Sequence, residues 1–368
     1  MSDPTEITFD IVISGCASSC WHCYVCGRPA SPMPVQDFKR VCSFVDEFKR
    51  GAEGQGVTVY PWLDLEPMLH PEISEILSFI QATEWFSLPS CMPTTGMPIA
   101  NRDDWEEVLK SHWEAGVRQL EFTLHGPEEI HNRAVSRRNA FQSHNEAVGR
   151  AKRYGFETKL NLMVSKPLLG RFGETMDVVD RNAYDYRRAA IPHYEANDRL
   201  RRFERYRPQL REVAPYRELL EQFCNDEIRD SEFWRDVADF TEQSAYRELL
   251  AHQEKYETYQ QFVENLPTWY FVTVGPDLDI WYGNGFHRAQ RLGQVGESSP
   301  REILDKVMDE YPNFAFGGCF PVDRLPSPIE VGNRVANPVG DKVYQDYEDH
   351  CEIHVMWLDK FMTEYRRL

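Results

Sequence analysis

The stretch EITFDIVISGCASSCWHCYVC, residues 6–26, joins a strand pattern directly to a run of cysteines. Ile7, Phe9, Ile11 and Ile13 alternate with other residues, and a period of two is typical of a strand with one buried face. Four cysteines then fall within eleven positions, 16–26. This order predicts a functional loop at the end of the first strand.

The same succession of strand and helix repeats along the first half of the chain. Further strands are predicted at 57–63, 85–96, 117–126, 157–166 and 185–194, and helices at 35–50, 71–81, 101–116 and 140–155. Such alternation indicates βαβ units with parallel strands, whose functional loops lie at the carboxyl ends of the strands. The predicted fold is α/β, a partial (βα)6 TIM-like barrel with a helical insertion and a small α+β C-terminal extension. We expect the barrel at 1–195, the charged insertion at 196–265 and the extension at 266–368.

The composition and net charge of the chain limit the classes of protein and of binding partner that we expect. The chain has 368 residues, 42% hydrophobic and 27% charged, with a formal net charge of −18. A negative field of this size repels phosphate backbones, so nucleic acid is not an expected partner. The sequence contains neither a membrane span nor an N-terminal signal peptide pattern, so we expect a cytoplasmic protein that does not bind a membrane.

Three of the nine cysteines, Cys16, Cys20 and Cys23, have the spacing C-x3-C-x2-C. In a reducing compartment, thiols this close together favour metal binding over disulfides. Four-iron clusters ordinarily take four thiolates, and three would leave one iron open to an outside ligand. With Cys26, the same cysteines could instead form a four-thiolate zinc site, although no second CxxC half is present.

The motif CASSCWHC, residues 16–23, resembles that of the radical S-adenosylmethionine (radical SAM) enzymes. His22 stands where that family usually has an aromatic residue or histidine. The resemblance implies one 4Fe–4S cluster held by Cys16, Cys20 and Cys23, with SAM on the open iron. It further implies an electron donor such as flavodoxin or ferredoxin, and leaves Cys26 as an extra thiol.

Other segments resemble the landmarks of the same family in the expected order. DLEP, residues 64–67, resembles Gly-Gly-Glu-Pro without its glycines, and TTG, 94–96, resembles Thr-Asn-Gly. FTLHGPEEIHN, 122–132, resembles a segment of the peptide-modifying branch, with Thr123 for a serine and His125 for an aspartate. The cofactor-binding residues implied by the resemblance are His22, Glu66, Thr94, Thr123, Arg133, Arg137, Asn161 and Ser165. Among them, Glu66 would hold the SAM amino group and Arg133 or Arg137 its carboxylate.

The segment from residue 266 onward resembles the SPASM or twitch extension of this family, but the cysteine expected after its turn is replaced by Trp281-Tyr282-Gly283. Only Cys319 and Cys351 follow, too few for a further four-iron site. We therefore expect an extension that lacks auxiliary cluster ligands. The candidate substrate-contacting residues are His125, His193, Tyr194, Tyr282 and His287.

The function implied is reductive cleavage of SAM to a 5′-deoxyadenosyl radical and hydrogen abstraction from a small molecule or peptide, in natural-product biosynthesis. Two alternatives stay open. One is cleavage of a different C–S bond with transfer of a 3-amino-3-carboxypropyl group. The other is a non-catalytic zinc or iron–sulfur protein.

Overall fold

The structure is a computed structural model, and it describes residues 6–258, 269–310, 314–315, 320–321, 326–335, 340–345 and 351–365. The strands are β1 (Glu6–Ile11), β2 (Thr58–Leu63), β3 (Cys91–Thr94), β4 (Gln119–Leu124), β5 (Glu157–Met163), β6 (Tyr186–Ala190), β7 (Trp269–Val274), β8 (Asp279–Asn284), β9 (His287–Gln294), β10 (Phe314–Ala315) and β11 (Phe320–Pro321).

The helices lie between and after these strands. In the described part of the chain they are α1 (Val35–Glu53), α2 (Ile73–Gln81), α3 (Met97–Asn101), α4 (Trp105–Glu114), α5 (Glu128–Ala134), α6 (Ala140–Tyr154), α7 (Lys166–Leu169), α8 (Phe172–Asn182), α9 (Asp198–Phe203), α10 (Leu210–Val213), α11 (Arg217–Phe223), α12 (Ile228–Arg235), α13 (Glu242–Ala251), α14 (Pro300–Glu310), α15 (Pro328–Val335) and α16 (Cys351–Tyr365). Short 3-10 turns occupy Pro67–Leu69, Ala214–Tyr216, Val237–Asp239 and Gln253–Lys255.

The six parallel strands of the predicted barrel form two arcs. One sheet has the order β3-β4-β5-β6, and the other has the order β2-β1-β7-β8-β9, in which β1 runs parallel to β2 and β7. No ladder joins β2 to β3 among the described residues. Pro61 in β2 and Pro93 in β3 have no N–H to donate, which weakens pairing at this seam.

The outer helices cover the sheet with the faces that the sequence pattern predicts. Phe38, Val41, Val45 and Phe48 of α1 are buried, and the Phe48 ring lies 5.2 Å from that of Phe9 in β1. Burying a side chain of this size contributes about 1.5–3 kcal/mol. The α/β fold class is thus present, with a longer sheet than predicted, because β7–β9 extend the sheet that contains β1.

The inserted helices close the open edge of β6. The amide of Arg187 donates to Asn225 Oδ1 at 2.6 Å, and Ala189 O accepts from the indole N–H of Trp234 at 2.7 Å. The amide of Ala189 also contacts Cys224 Sγ at 3.3 Å. Unpaired edge groups invite pairing with other chains, so these contacts protect the barrel. The expected division at 195/196 and 265/266 stays a prediction.

None of the described helices combines the length and apolar character that a membrane span requires.

Candidate active site

The cysteine loop leaves the carboxyl end of β1 and is tied down along its length. The Cys16 amide donates to Arg28 O at 2.8 Å, which closes the loop on itself. A Cβ on Gly15 would stand 2.1 Å from that same carbonyl, so only glycine fits there. The amides of Ser19 and Trp21 donate to Val135 O and Ala134 O, at 3.1 and 2.9 Å, and so fix the loop against the end of α5.

Within this loop, the thiols of Cys16, Cys20 and Cys23 lie close enough to influence one another. Burial, followed by the charges of Cys23 and Cys16, raises the pKa of Cys20 well above its usual value. Burial and the Glu66 charge raise the pKa of Cys16 to about 12. Backbone amides approach two of the sulfurs: Ser18 N at 3.4 Å from Cys16 Sγ and Gly27 N at 3.1 Å from Cys23 Sγ. Such thiols need a metal charge to become thiolates, and amide donors suit the sulfurs of an iron–sulfur cluster.

Cys26 lies at the far end of the loop, with a positive φ of 53°. Its pKa is raised to about 11 by burial and then by the Cys23 charge. Within the described residues, no group of three or more His, Cys, Asp or Glu side chains converges on one metal position. Amide donors to two of the three sulfurs suit an iron–sulfur cluster, and the zinc alternative stays open.

A cavity of about 150 Å³ adjoins the loop and is lined from four successive βα units. The sequence-predicted residues that line it are Cys20, His22, Glu66, Thr94, Thr123 and His125. Ser18, Thr95 and His131 also line it. Because parallel strands end at one edge of the barrel, residues more than a hundred positions apart meet here.

Glu66 bridges the seam between the two arcs. It is 1% exposed; its Oε1 accepts from Thr94 Oγ1 at 2.9 Å, and Oε2 accepts from both the amide and the hydroxyl of Thr95 at 2.6 Å. Burial raises the pKa of Glu66, and the Thr95 and Thr94 hydrogen bonds act against that rise. The carboxyl group thus holds the ends of β2 and β3 together where no backbone ladder does.

Histidine side chains continue from the cavity into the interior. The rings of His22 and His125 are 4.7 Å apart, those of His125 and His131 5.5 Å, and those of His131 and His144 5.3 Å. His144 Nε2 then lies 2.6 Å from the Tyr184 hydroxyl. Burial lowers the pKa of every one of these histidines, so they are neutral at pH 7. His125 Nε2 and His131 Nδ1 are buried without a partner in the described structure, so both could serve a ligand in the cavity.

Two predicted arginines lie outside the cavity lining. Arg133 is held 5.6 Å over the Trp21 ring and donates to the Tyr206 hydroxyl at 3.3 Å. Arg137 donates to Ala17 O at 3.0 Å. Both line a shallow groove formed by the end of α5 and the segment that follows it. Neither arginine lines the cavity, and each guanidinium keeps N–H donors beyond these contacts, so the expected contact with the SAM carboxylate stays a prediction.

Asn161 lies within β5 and Ser165 follows that strand, so the two residues have different surroundings. Asn161 faces Thr123 across the sheet, and its buried Oδ1 has no partner among the described residues. Ser165 caps α7, with its hydroxyl accepting from Leu168 N at 3.4 Å. Neither lines the cavity.

The candidate substrate-contacting residues lie in different parts of the structure. His193 pairs with Glu352, which raises its pKa, and its side chain stays 56% exposed. Tyr194 is buried instead, its hydroxyl donating to Asp359 Oδ2 at 2.7 Å, so it packs against α16. Tyr282 packs 5.2 Å from the Tyr270 ring in the core. His287 begins β9, but its side chain and the whole of Cys319 lie outside the described residues, as does the side chain of Cys351.

Sequence reasoning missed Thr95, His131 and Arg199. Thr95 adjoins a residue that the Thr-Asn-Gly comparison selected, and His131 lies in the quoted GPEEIHN segment. Arg199 carried no local signal, because it reaches the cysteine loop from the inserted helix α9.

Asp10 and Asp64 form a second group of carboxyls beside the loop. Burial and the Asp64 charge raise the pKa of Asp10, and burial raises that of Asp64 from 3.8 to about 6. Asp64 Oδ2 is buried and has no partner among the described residues. Gly285 lies against it, since a Cβ there would stand 2.9 Å from that oxygen.

We expect Asp64→Asn to change how stability depends on pH. A folded pKa above the unfolded value means that the folded chain binds more protons between 3.8 and about 6, so this group's contribution falls as pH rises through that window. The variant should gain on the order of 1–2 kcal/mol relative to wild type between pH 4 and 7. Urea unfolding across that range measures it, with the exposed Asp103→Asn as the matched control. A constant difference would contradict the assignment.

Comparison with known proteins identifies a domain in the first half of the chain. A model of the radical SAM superfamily matches residues 11–178, which contain the cysteine loop, Glu66 and the cavity. The chain carries a radical SAM domain. The predicted family, fold class and enzymatic nature are confirmed at this level, whereas the SPASM-like character of the extension stays a prediction. A comparison with curated protein sequences gave no match.

Two solved structures are similar to this chain over nearly its whole length. Native anSMEcpe with bound AdoMet and Kp18Cys peptide is similar with a TM-score of 0.51 and 14% identity, over 98% of each chain. Streptococcus suis SuiB bound to precursor peptide SuiA is similar with a TM-score of 0.46 and 14% identity, over 96% of this chain and 76% of that chain. At such identities the likeness concerns the fold alone.

Proposed function

We propose that the protein cleaves SAM reductively at a 4Fe–4S cluster held by Cys16, Cys20 and Cys23. The observation that carries this proposal is the cavity beside Cys20, into which Glu66, Thr94 and His125 also project. When bound, the cluster would supply the electron that cleaves SAM to methionine and a 5′-deoxyadenosyl radical, and that radical would take a hydrogen atom from the substrate.

The cavity residues would bind and orient SAM. Glu66 is fixed by three hydrogen bonds and presents its carboxyl group for the SAM amino group. The unpartnered nitrogens of His125 and His131 would supply neutral polar contacts, and His125 stands where the family resemblance expected an aspartate. His22 and Thr123 complete the lining. Burial of these groups keeps bulk water from the reacting atoms.

We place the substrate where Tyr24 and His193 meet, with their rings 6.5 Å apart. Tyr24 is 44% exposed, yet burial and the charges of Asp64 and Asp10 raise the pKa of its hydroxyl. The substrate class is a small molecule or a peptide, as in natural-product biosynthesis. The peptide carried by anSMEcpe in its structure supports the peptide class. An electron donor such as flavodoxin or ferredoxin would act in the cytoplasm.

We also propose that residues 266–368 are a SPASM-like or twitch-like extension without auxiliary cluster ligands, following the barrel at 1–195 and the insertion at 196–265. The hairpin of β8 and β9 contacts the cysteine loop, since the Phe286 amide donates to Val25 O at 2.8 Å. Its role would then be to cover the loop.

Anaerobic reconstitution with iron and sulfide tests the function. We expect about four irons per chain, a brown colour, and release of 5′-deoxyadenosine on adding dithionite and SAM. Chromatography of the nucleoside products identifies the bond that breaks. Methylthioadenosine in place of 5′-deoxyadenosine would establish the 3-amino-3-carboxypropyl alternative. A colourless protein with one zinc would overturn the proposal in favour of a non-catalytic metal protein.

A further inference from the structure

Arg199, in the first turn of α9, is held against the cysteine loop by Asn197. The Asn197 side chain accepts from the amides of Arg199 and Leu200 at 2.9 and 3.0 Å, which caps the helix. Its Nδ2 donates to Tyr24 O at 3.2 Å, within the loop itself. One side chain therefore fixes both the start of the helix and the segment next to Cys23.

The Arg199 guanidinium lies among the thiols of this loop. Its charge acts on Cys16, Cys20 and Cys23, and it also lies within hydrogen-bonding reach of Cys23. Its Nη1 is buried and finds no hydrogen-bond partner in the described parts of the chain. A buried cationic donor facing neutral thiols is costly unless an anion occupies the space beside it.

Other charges around the loop are mostly acidic. Glu66 faces Cys16, Asp64 faces Cys23, and Glu195 faces Cys26, while Arg28 is a further cation near Cys26. Adding an electron to an anionic cluster in such surroundings is unfavourable. A cation close to all three ligands would oppose this effect.

We propose that Arg199 is the positioning residue that makes the cluster reducible, by compensating the negative charge gained on reduction. The inference rests on the proposed function. The step is a one-electron transfer from the reductant to the cluster, in which no bond forms or breaks and the charge of the cluster becomes more negative by one. Loss of the guanidinium should therefore shift the equilibrium towards the oxidised form.

The test is an anaerobic titration with dithionite, in which electron paramagnetic resonance follows the reduced cluster. For Arg199→Gln we expect about a tenfold smaller equilibrium constant for reduction, a fall of about 59 mV for a one-electron couple. Arg199→Lys, which keeps the charge, should stay near wild type. Arg202→Gln removes the same charge from the exposed side of α9 and should change nothing.

Iron content decides the remaining outcomes. A fully loaded Arg199→Gln with the wild-type midpoint overturns the inference. Loss of iron in Arg199→Gln with retention in Arg199→Lys would show that the charge is needed to hold the cluster and not to reduce it, whereas loss in both would show a need for shape, and either result overturns the inference. A wild-type chain that takes up no cluster would instead contradict the proposed function.

Discussion

Cys20→Ala is expected to abolish iron binding, and with it 5′-deoxyadenosine formation. Cys20 is the proposed ligand that also lines the cavity, so its substitution would remove one of the three thiolates that bind the cluster beside the SAM site. Two remaining thiols cannot hold a cube that already leaves one iron without a protein ligand. Iron and sulfide analysis after anaerobic reconstitution, together with the visible absorption of the cluster, measures the effect.

Cys26→Ala is the matched control, since it removes a thiol of the same loop only three positions after Cys23. Cys26 is the extra thiol of the C-x3-C-x2-C spacing. We expect full iron content in this variant. Equal loss of iron from both variants would refute the three-ligand assignment, and retention in both would refute the cluster site itself.

Glu66→Ala is expected to weaken SAM binding by at least about tenfold and to destabilise the fold. Its carboxyl group accepts three hydrogen bonds from Thr94 and Thr95. Hydrogen bonds to charged groups contribute about 1.5–3 kcal/mol, and buried donors left unpaired add about 1–3 kcal/mol. Equilibrium binding of SAM to the reconstituted protein and thermal unfolding of the chain measure the two effects separately.

Glu66→Gln further separates the role of this side chain in SAM binding from its role in fold stability. An amide can keep part of the Thr94 and Thr95 network but carries no charge for the SAM amino group, so binding should fall more than stability. The exposed Glu72→Gln, on the same connection after β2, should leave both unchanged. Normal SAM affinity in Glu66→Ala would contradict the assigned role.

The sequence predicted the elements whose signal is local. The alternation in β1, the periodic face of α1 and the spacing of Cys16, Cys20 and Cys23 each lie within a short window, and Glu66 and Thr94 directly follow strands. Contacts set by distant packing could not be predicted. Arg133 contacts Trp21 and Tyr206, and the Tyr194 hydroxyl donates to Asp359. Arg199 lies in a separate helix whose cap residue, Asn197, bonds to the loop.

The seam beside Glu66 has a further consequence for how ligand binding is coupled to stability. The boundary between β2 and β3 is spanned, among the described residues, by a side chain and by no backbone ladder. A ligand that drew this carboxylate away from Thr94 and Thr95 would loosen the two strand ends while both ladders stay intact. Strand cohesion and the proposed SAM contact would therefore depend on one carboxylate.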